Sequence, residues 1–106
     1  MDTRNWRAWI DLMPPKPGDF QVTGEVYASN PGIRPELTPS IPQGINPAIL
    51  MLDLKLVQQP GMWPQVMTWA KVNYKESMGP KSHRYSEVEI RSNGESIAQI
   101  KVEETH

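Results

Sequence analysis

The chain has 106 residues with 11 Lys and Arg against 12 Asp and Glu, a formal net charge of −1, and no cysteine. That length supports one domain with one core, and the balanced charge argues against wholesale binding to nucleic acid or an anionic membrane, since both need a basic excess. Without cysteine there is no disulfide framework, which favours a cytoplasmic location, and residues 1–20 lack the basic start and continuous apolar run of a signal peptide.

Punctuation sets the fold class. Eleven prolines and seven glycines are spread along the chain. Proline costs about 3 kcal/mol inside a helix but is tolerated in turns and at strand edges. The pattern therefore points to many short strands packed as a sandwich or barrel.

Residues 5–15, NWRAWIDLMPP, fit two periods. As a helix, Trp6, Trp9, Ile10 and Met13 form one stripe; as a strand, Trp6, Ala8, Ile10 and Leu12 share a face. A helix here has no glycine or asparagine cap before Pro14-Pro15. The strand is the better reading, with Trp6 inward, Trp9 outward and PPKPGD (14–19) as the turn into the next strand. Residues 20–29, FQVTGEVYAS, alternate cleanly, with Phe20, Val22, Gly24, Val26 and Ala28 on the inner face. Gly24 on that face marks a bulge or the close approach of another side chain.

The stretch 29–48 holds five prolines and is expected to be a long ordered loop, anchored by Ile33, Leu37, Ile41 and Ile45, with an irregular edge strand around Glu36–Ile41 as the alternative. Residues 49–57, ILMLDLKLV, form a central strand, inward by Leu50, Leu52, Leu54 and Leu56. In 65–75 the alternation puts Val66, Thr68, Ala70, Val72 and Tyr74 inward and Trp69 outward. The last segment, 85–104, is a hairpin around Asn93-Gly94. For Val88 and Ile90 to share a face with Ala98, Ile100 and Val102, one residue must be gained somewhere. A three-residue loop, Ser92-Asn93-Gly94, supplies it and pairs Val88 with Ala98.

Candidate sites follow from what stands outside this core. Trp63 and Trp69, with Trp9 outward, offer an aromatic surface for a sugar ring or a peptide, against the plainer reading of edge cover. Arg34 lies in the proline-rich loop. Lys81, His83 and Arg84 could hold an anion, although a solvated charged loop is the favoured explanation given the near-neutral net charge. His83 and His106 do not stand at metal-ligand spacing, so no metal or cofactor is expected. Asp53 falls on an outer face, and neither a nucleophile elbow nor a glycine-rich phosphate loop is present.

The expectation is one all-β domain: an antiparallel β-sandwich of immunoglobulin-like size, about six or seven strands, without that fold's cysteine pair. No motif names a reaction. The leading function is a non-enzymatic module that contacts a protein partner through the 29–48 loop or a sheet edge. The alternative is small-ligand or carbohydrate binding on the tryptophan surface, and a third reading makes His83 a catalytic acid or base. A monomer or a weak homodimer through a sheet edge fits each of them.

Overall fold

Seven strands make up the regular structure of the computed structural model, which describes residues 1–12, 18–77 and 85–105. They are β1 (Thr3–Asp11), β2 (Asp19–Ala28), β3 (Ile33–Pro39), β4 (Ile49–Gln58), β5 (Thr68–Ser77), β6 (Glu87–Ser92) and β7 (Glu95–Thr105). Their spatial order is β3-β4-β6-β7-β1-β2-β5. Residues 6–12 are strand, and β1 pairs antiparallel with β2 as expected. The turn placed at 14–19 falls largely outside the described residues.

The strands form one nearly closed, barrel-like sheet where two separate sheets were expected. The physical reason is the length of β7. Its first part pairs with β6 up to Lys101, and its last residues, from Val102 on, pair in parallel with β1. One strand thereby stitches together what would otherwise be two layers. The edges β3 and β5 then come side by side, though no ladder joins them among the described residues. A second parallel contact, β4 with β6, makes the sheet mixed rather than purely antiparallel.

The core is largely the one the alternation indicates, except that Val66, expected inward, precedes β5, which begins at Thr68, and is exposed. Ala8 and Ile10, Phe20, Val22 and Val26, Leu50, Leu52 and Leu54, Val72, Val88 and Ile90 are all buried. Each large side chain removed from water contributes roughly 1.5–3 kcal/mol. Leu56 continues the inward parity of β4 but sits at the strand's open end and is exposed. At the other end of the core, the ring of Phe20 meets Tyr85 edge-on at 5.1 Å and Tyr74 at 6.5 Å.

Two register details differ from simple alternation. In β1, Arg4 pairs with Glu25 and Arg7 with Thr23, so β1 carries one extra residue. Asn5 absorbs it with φ 57°, and Trp6 lands inward over Gly24. In the last hairpin, Ser92 pairs with Glu95 across a two-residue Asn93-Gly94 turn with φ of 52° and 81°. Both angles lie in the region that an inverted type I turn requires. The extra residue sits in β7 at Ile97, between the Arg91–Ser96 and Ile90–Ala98 pairs. Val88 therefore faces Ile100, not Ala98. The shared face was right; the bulge is in the strand, not in the turn.

The stretch 29–48 is not a single loop, because residues 33–39 form the edge strand β3. Its prolines fit for a reason of direction. Gln59 N–H donates to Gly32 O and Ser40 N–H to Met51 O, so even-numbered residues of this segment turn their amides toward β4. Pro35 and Pro39 occupy the alternate positions, whose missing N–H would have pointed at the sheet's free edge.

Candidate interaction surface

Residues 40–48 leave β3 at Ser40 and return to β4 at Ile49, and their path is fixed by hydrogen bonds. Gln43 acts as an extra peptide unit beside Met51: its Oε1 accepts from Met51 N–H at 2.9 Å and its Nε2 donates to Met51 O at 2.9 Å. The same Nε2 also reaches Ser40 O at 2.8 Å. Ser40 Oγ donates to Asp53 at 2.7 Å. At the far end, Asn46 Oδ1 accepts from Ala48 N–H at 2.9 Å, and Ala48 O accepts from Ser86 N–H at 2.8 Å.

On this fixed frame, Ile41 is 94% exposed and Ile45 103% exposed. They were expected to anchor the segment, and instead they stand in water. Residues four apart share a face only while the chain stays a strand, and β3 ends at Pro39, before Ile41 is reached. Only Leu37 of the four expected anchors is buried. Beside Ile41 lies an open hollow of about 580 Å³ between the 40–44 backbone, the outer face of β4 and the Asn93-Gly94 turn. Ile41, Pro42 and Met51 give it an apolar side; Asp53, Lys55 and Arg91 give it a charged one.

The tryptophans are dispersed. Trp9 lies on the outer face of β1 with the Arg7 guanidinium 4.7 Å from its ring. Trp69 lies on β5, stacked on Tyr27 at 4.8 Å and covered by Arg4 at 3.9 Å. Trp9 pairs with Gln21 and Trp69 with Tyr27, positions six residues apart on β2, or about 20 Å at ~3.3 Å per residue. Trp63 belongs to residues 59–67, where its Nε1 donates to Gln59 O at 3.0 Å and its ring rests on Gly32. The three do not form a common platform. Arg34 is on the edge strand, ion-paired with Glu36 at 3.1 Å. Lys81, His83 and Arg84, and His106, lie outside the described residues.

A second hollow, about 470 Å³, opens on the outer face at the β1 bulge, and the sequence reading missed it. Asn5, Thr23, Glu25, Lys71 and Asn73 supply its polar lining. Hydrogen bonds from Asn5 (2.6 Å) and Arg4 hold the Glu25 carboxyl below its ordinary range. Gly24 was the available signal, since an inward glycine implied an irregular partner strand. Among the described residues no group of three His, Asp or Glu is placed to hold a metal ion.

The exposed apolar side chains have a sequence signature of their own. Neither 37–52 nor 56–70 contains a charged residue. Apart from Met1, every exposed large apolar side chain among the described residues falls in these two stretches. Compared with protein-family models, curated proteins and solved structures, the chain finds no match.

Proposed function

We propose that the protein is a non-enzymatic interaction module that docks a protein partner through residues 40–48. One observation carries the reading: two isoleucines wholly in water on a segment that Gln43 fixes to the sheet. Clustered exposed apolar side chains mark interaction sites where single ones do not, and Ile41, Pro42 and Ile45 all stand exposed on one short segment. A segment already ordered loses less conformational freedom on binding, which leaves more of the apolar burial as affinity. The adjoining hollow, apolar on one side and charged on the other, suits a peptide segment with mixed character. Pro35 and Pro39 favour this segment over strand addition at β3, because they remove donors from that edge. The lack of cysteine supports a reducing, cytoplasmic setting.

The test is to select peptides from a display library against the wild type and assay them on Ile41→Asp/Ile45→Asp. Both side chains are exposed, so the variant is expected to keep its fold. Peptides that bind the wild type and lose at least tenfold on the variant support the reading; equal binding to both sinks it.

A second reading, a small polar ligand or carbohydrate, is favoured by the hollow at Asn5, Glu25, Lys71 and Asn73 beside the Trp69–Tyr27 stack. Backbone amide shifts confined to those residues during an oligosaccharide titration would move the assignment there.

A further inference from the structure

The second uncharged stretch ends in a different surface. Residues 59–67 connect β4 to β5 and are pinned at two places. Trp63 donates to Gln59 O and lies against Gly32, where a methyl group would overlap the indole. Gln59 N–H donates to Gly32 O at 2.8 Å, and Asn30 Nδ2 donates to Gln58 at 2.9 Å. The pinned segment leaves Met62 100% exposed, with Trp63, Val66, Met67 and the neighbouring Leu56 exposed as well.

We infer that this end of the barrel is a self-association surface, covered by the same surface of a second copy in a two-fold dimer. In a two-fold contact each residue near the axis meets its own mate, so any charge there meets a like charge. Residues 56–70 contain no charge to oppose itself. The outer faces of the strands do not meet that condition, because they carry ladders such as Glu25–Lys71 and Glu87–Lys101. A net charge of −1 also leaves almost no long-range repulsion between copies. The equally uncharged 37–52 differs in its surroundings, because the hollow beside it is lined by Asp53, Lys55 and Arg91.

The arrangement has a consequence for the docking segment. Residues 40–48 and 59–67 leave opposite ends of β4, ten residues long, or about 33 Å at ~3.3 Å per residue. A dimer closed through 59–67 leaves both copies of 40–48 open. On the docking reading above, the pair is bivalent, which raises the avidity for a repeated partner without any new contact.

The test is sedimentation equilibrium of the full chain from micromolar to millimolar concentration. The wild type is expected to approach twice the monomer mass, Met62→Asp to weaken association at least tenfold, and Ile41→Asp to leave it unchanged. A wild type that stays monomeric at millimolar concentration overturns the inference, as does association lost in Ile41→Asp but kept in Met62→Asp. Because the chain has no cysteine, Met62→Cys adds a direct readout of the two-fold contact. Under mild oxidation it should form a disulfide-linked dimer at least tenfold faster than Ile45→Cys; equal rates overturn the two-fold geometry. Binding of the monomeric wild type to phosphatidylcholine vesicles, lost in Met62→Asp, would assign the surface to lipid instead and likewise overturn the inference. Failure here leaves the peptide assay on Ile41 and Ile45 untouched, so the two readings fall separately.

Discussion

The indole of Trp6 occupies the place where a side chain on Gly24 would be. The two residues face each other because Trp6 keeps the inward parity of Ala8 and Ile10, while the extra residue at Asn5 shifts only the part of β1 that precedes it. Trp6 Nε1 donates to Thr3 Oγ1 at 2.9 Å, so the ring is held at its polar end as well. Gly24→Ala is expected to cost about 1–3 kcal/mol, the usual range for overpacking a filled site. Urea unfolding midpoints measure it. Adding Trp6→Leu should relieve the overlap, so the double variant should lose at least about 0.5 kcal/mol less than the sum of the singles. Strict additivity would show that the two do not share the space.

Asn5 gives a second prediction through its backbone. At φ 57°, a β-branched residue is strained by about 1–2 kcal/mol relative to glycine. Asn5→Gly should keep the bulge and lose only the bond to Glu25, whereas Asn5→Val should be less stable by that margin. The same bond has a pH signature. The folded Glu25 carboxyl titrates below its ordinary value of 4.5 because Asn5 and Arg4 hydrogen-bond its charged form. A depressed carboxyl contributes stability that is present above the unfolded value and is lost as pH falls through the folded one. Carboxyl NMR titration should place Glu25 below 4.5 in the wild type and nearer to it in Asn5→Gly. An unmoved midpoint counts against the bond.

At the opposite end of the core, Tyr74 and Tyr85 set the alkaline limit. Burial, then the hydrogen bond to Glu76, pushes Tyr85 up from 10.0 to about 12. Tyr74 is raised still further by the same causes, its hydroxyl donating to Glu76 at 3.0 Å. Phenols whose folded values are raised add stability that is complete below pH 10 and disappears as pH climbs through the folded values. Unfolding midpoints should therefore fall between pH 10 and about 12. In Tyr85→Phe that fall should be shallower, and phenolate absorbance should show one fewer late-ionising group. An identical slope in the variant would remove Tyr85 from the account.

Much of this fold was legible in the residues. Phe20, Val22, Val26 and Ala28 alternate without exception, and so do Leu50, Leu52 and Leu54, so period and face followed directly. The hairpin shows where such reading stops. Parity requires one extra residue between Ile90 and Ala98 but is equally satisfied by a longer turn or a strand bulge. Asn93 and Gly94 both take positive φ in a two-residue turn, and that choice moved the bulge to Ile97. β3 was obscured because prolines at 35 and 39 read as breakers. Only the direction of the free edge, a property of the assembled sheet, makes them acceptable. The docking segment was half visible. Its length and prolines drew attention to 29–48, but whether Ile41 and Ile45 faced in or out depended on Gln43, whose role appears only once Met51 lies beside it.

That dependence yields the last prediction. Gln43→Ala removes the acceptor of Met51 N–H and the donor to Met51 O and Ser40 O, while leaving both isoleucines in place. An exposed bond of this kind is worth about 1 kcal/mol net, so global stability should fall by about that amount. The local effect should be clearer. Hydrogen exchange at the Met51 amide is expected to accelerate about tenfold for each ~1.4 kcal/mol of lost protection. Peptides selected on the wild type should also bind more weakly, since ordering the freed segment costs about 0.5–1.5 kcal/mol for each immobilised side chain. Weakening by this route separates preorganisation from contact, because no atom of Ile41 or Ile45 has changed. If Met51 exchange accelerates and peptide affinity holds, the isoleucines act without the frame. If Met51 exchange stays at the wild-type rate, Gln43 is not what fixes the segment.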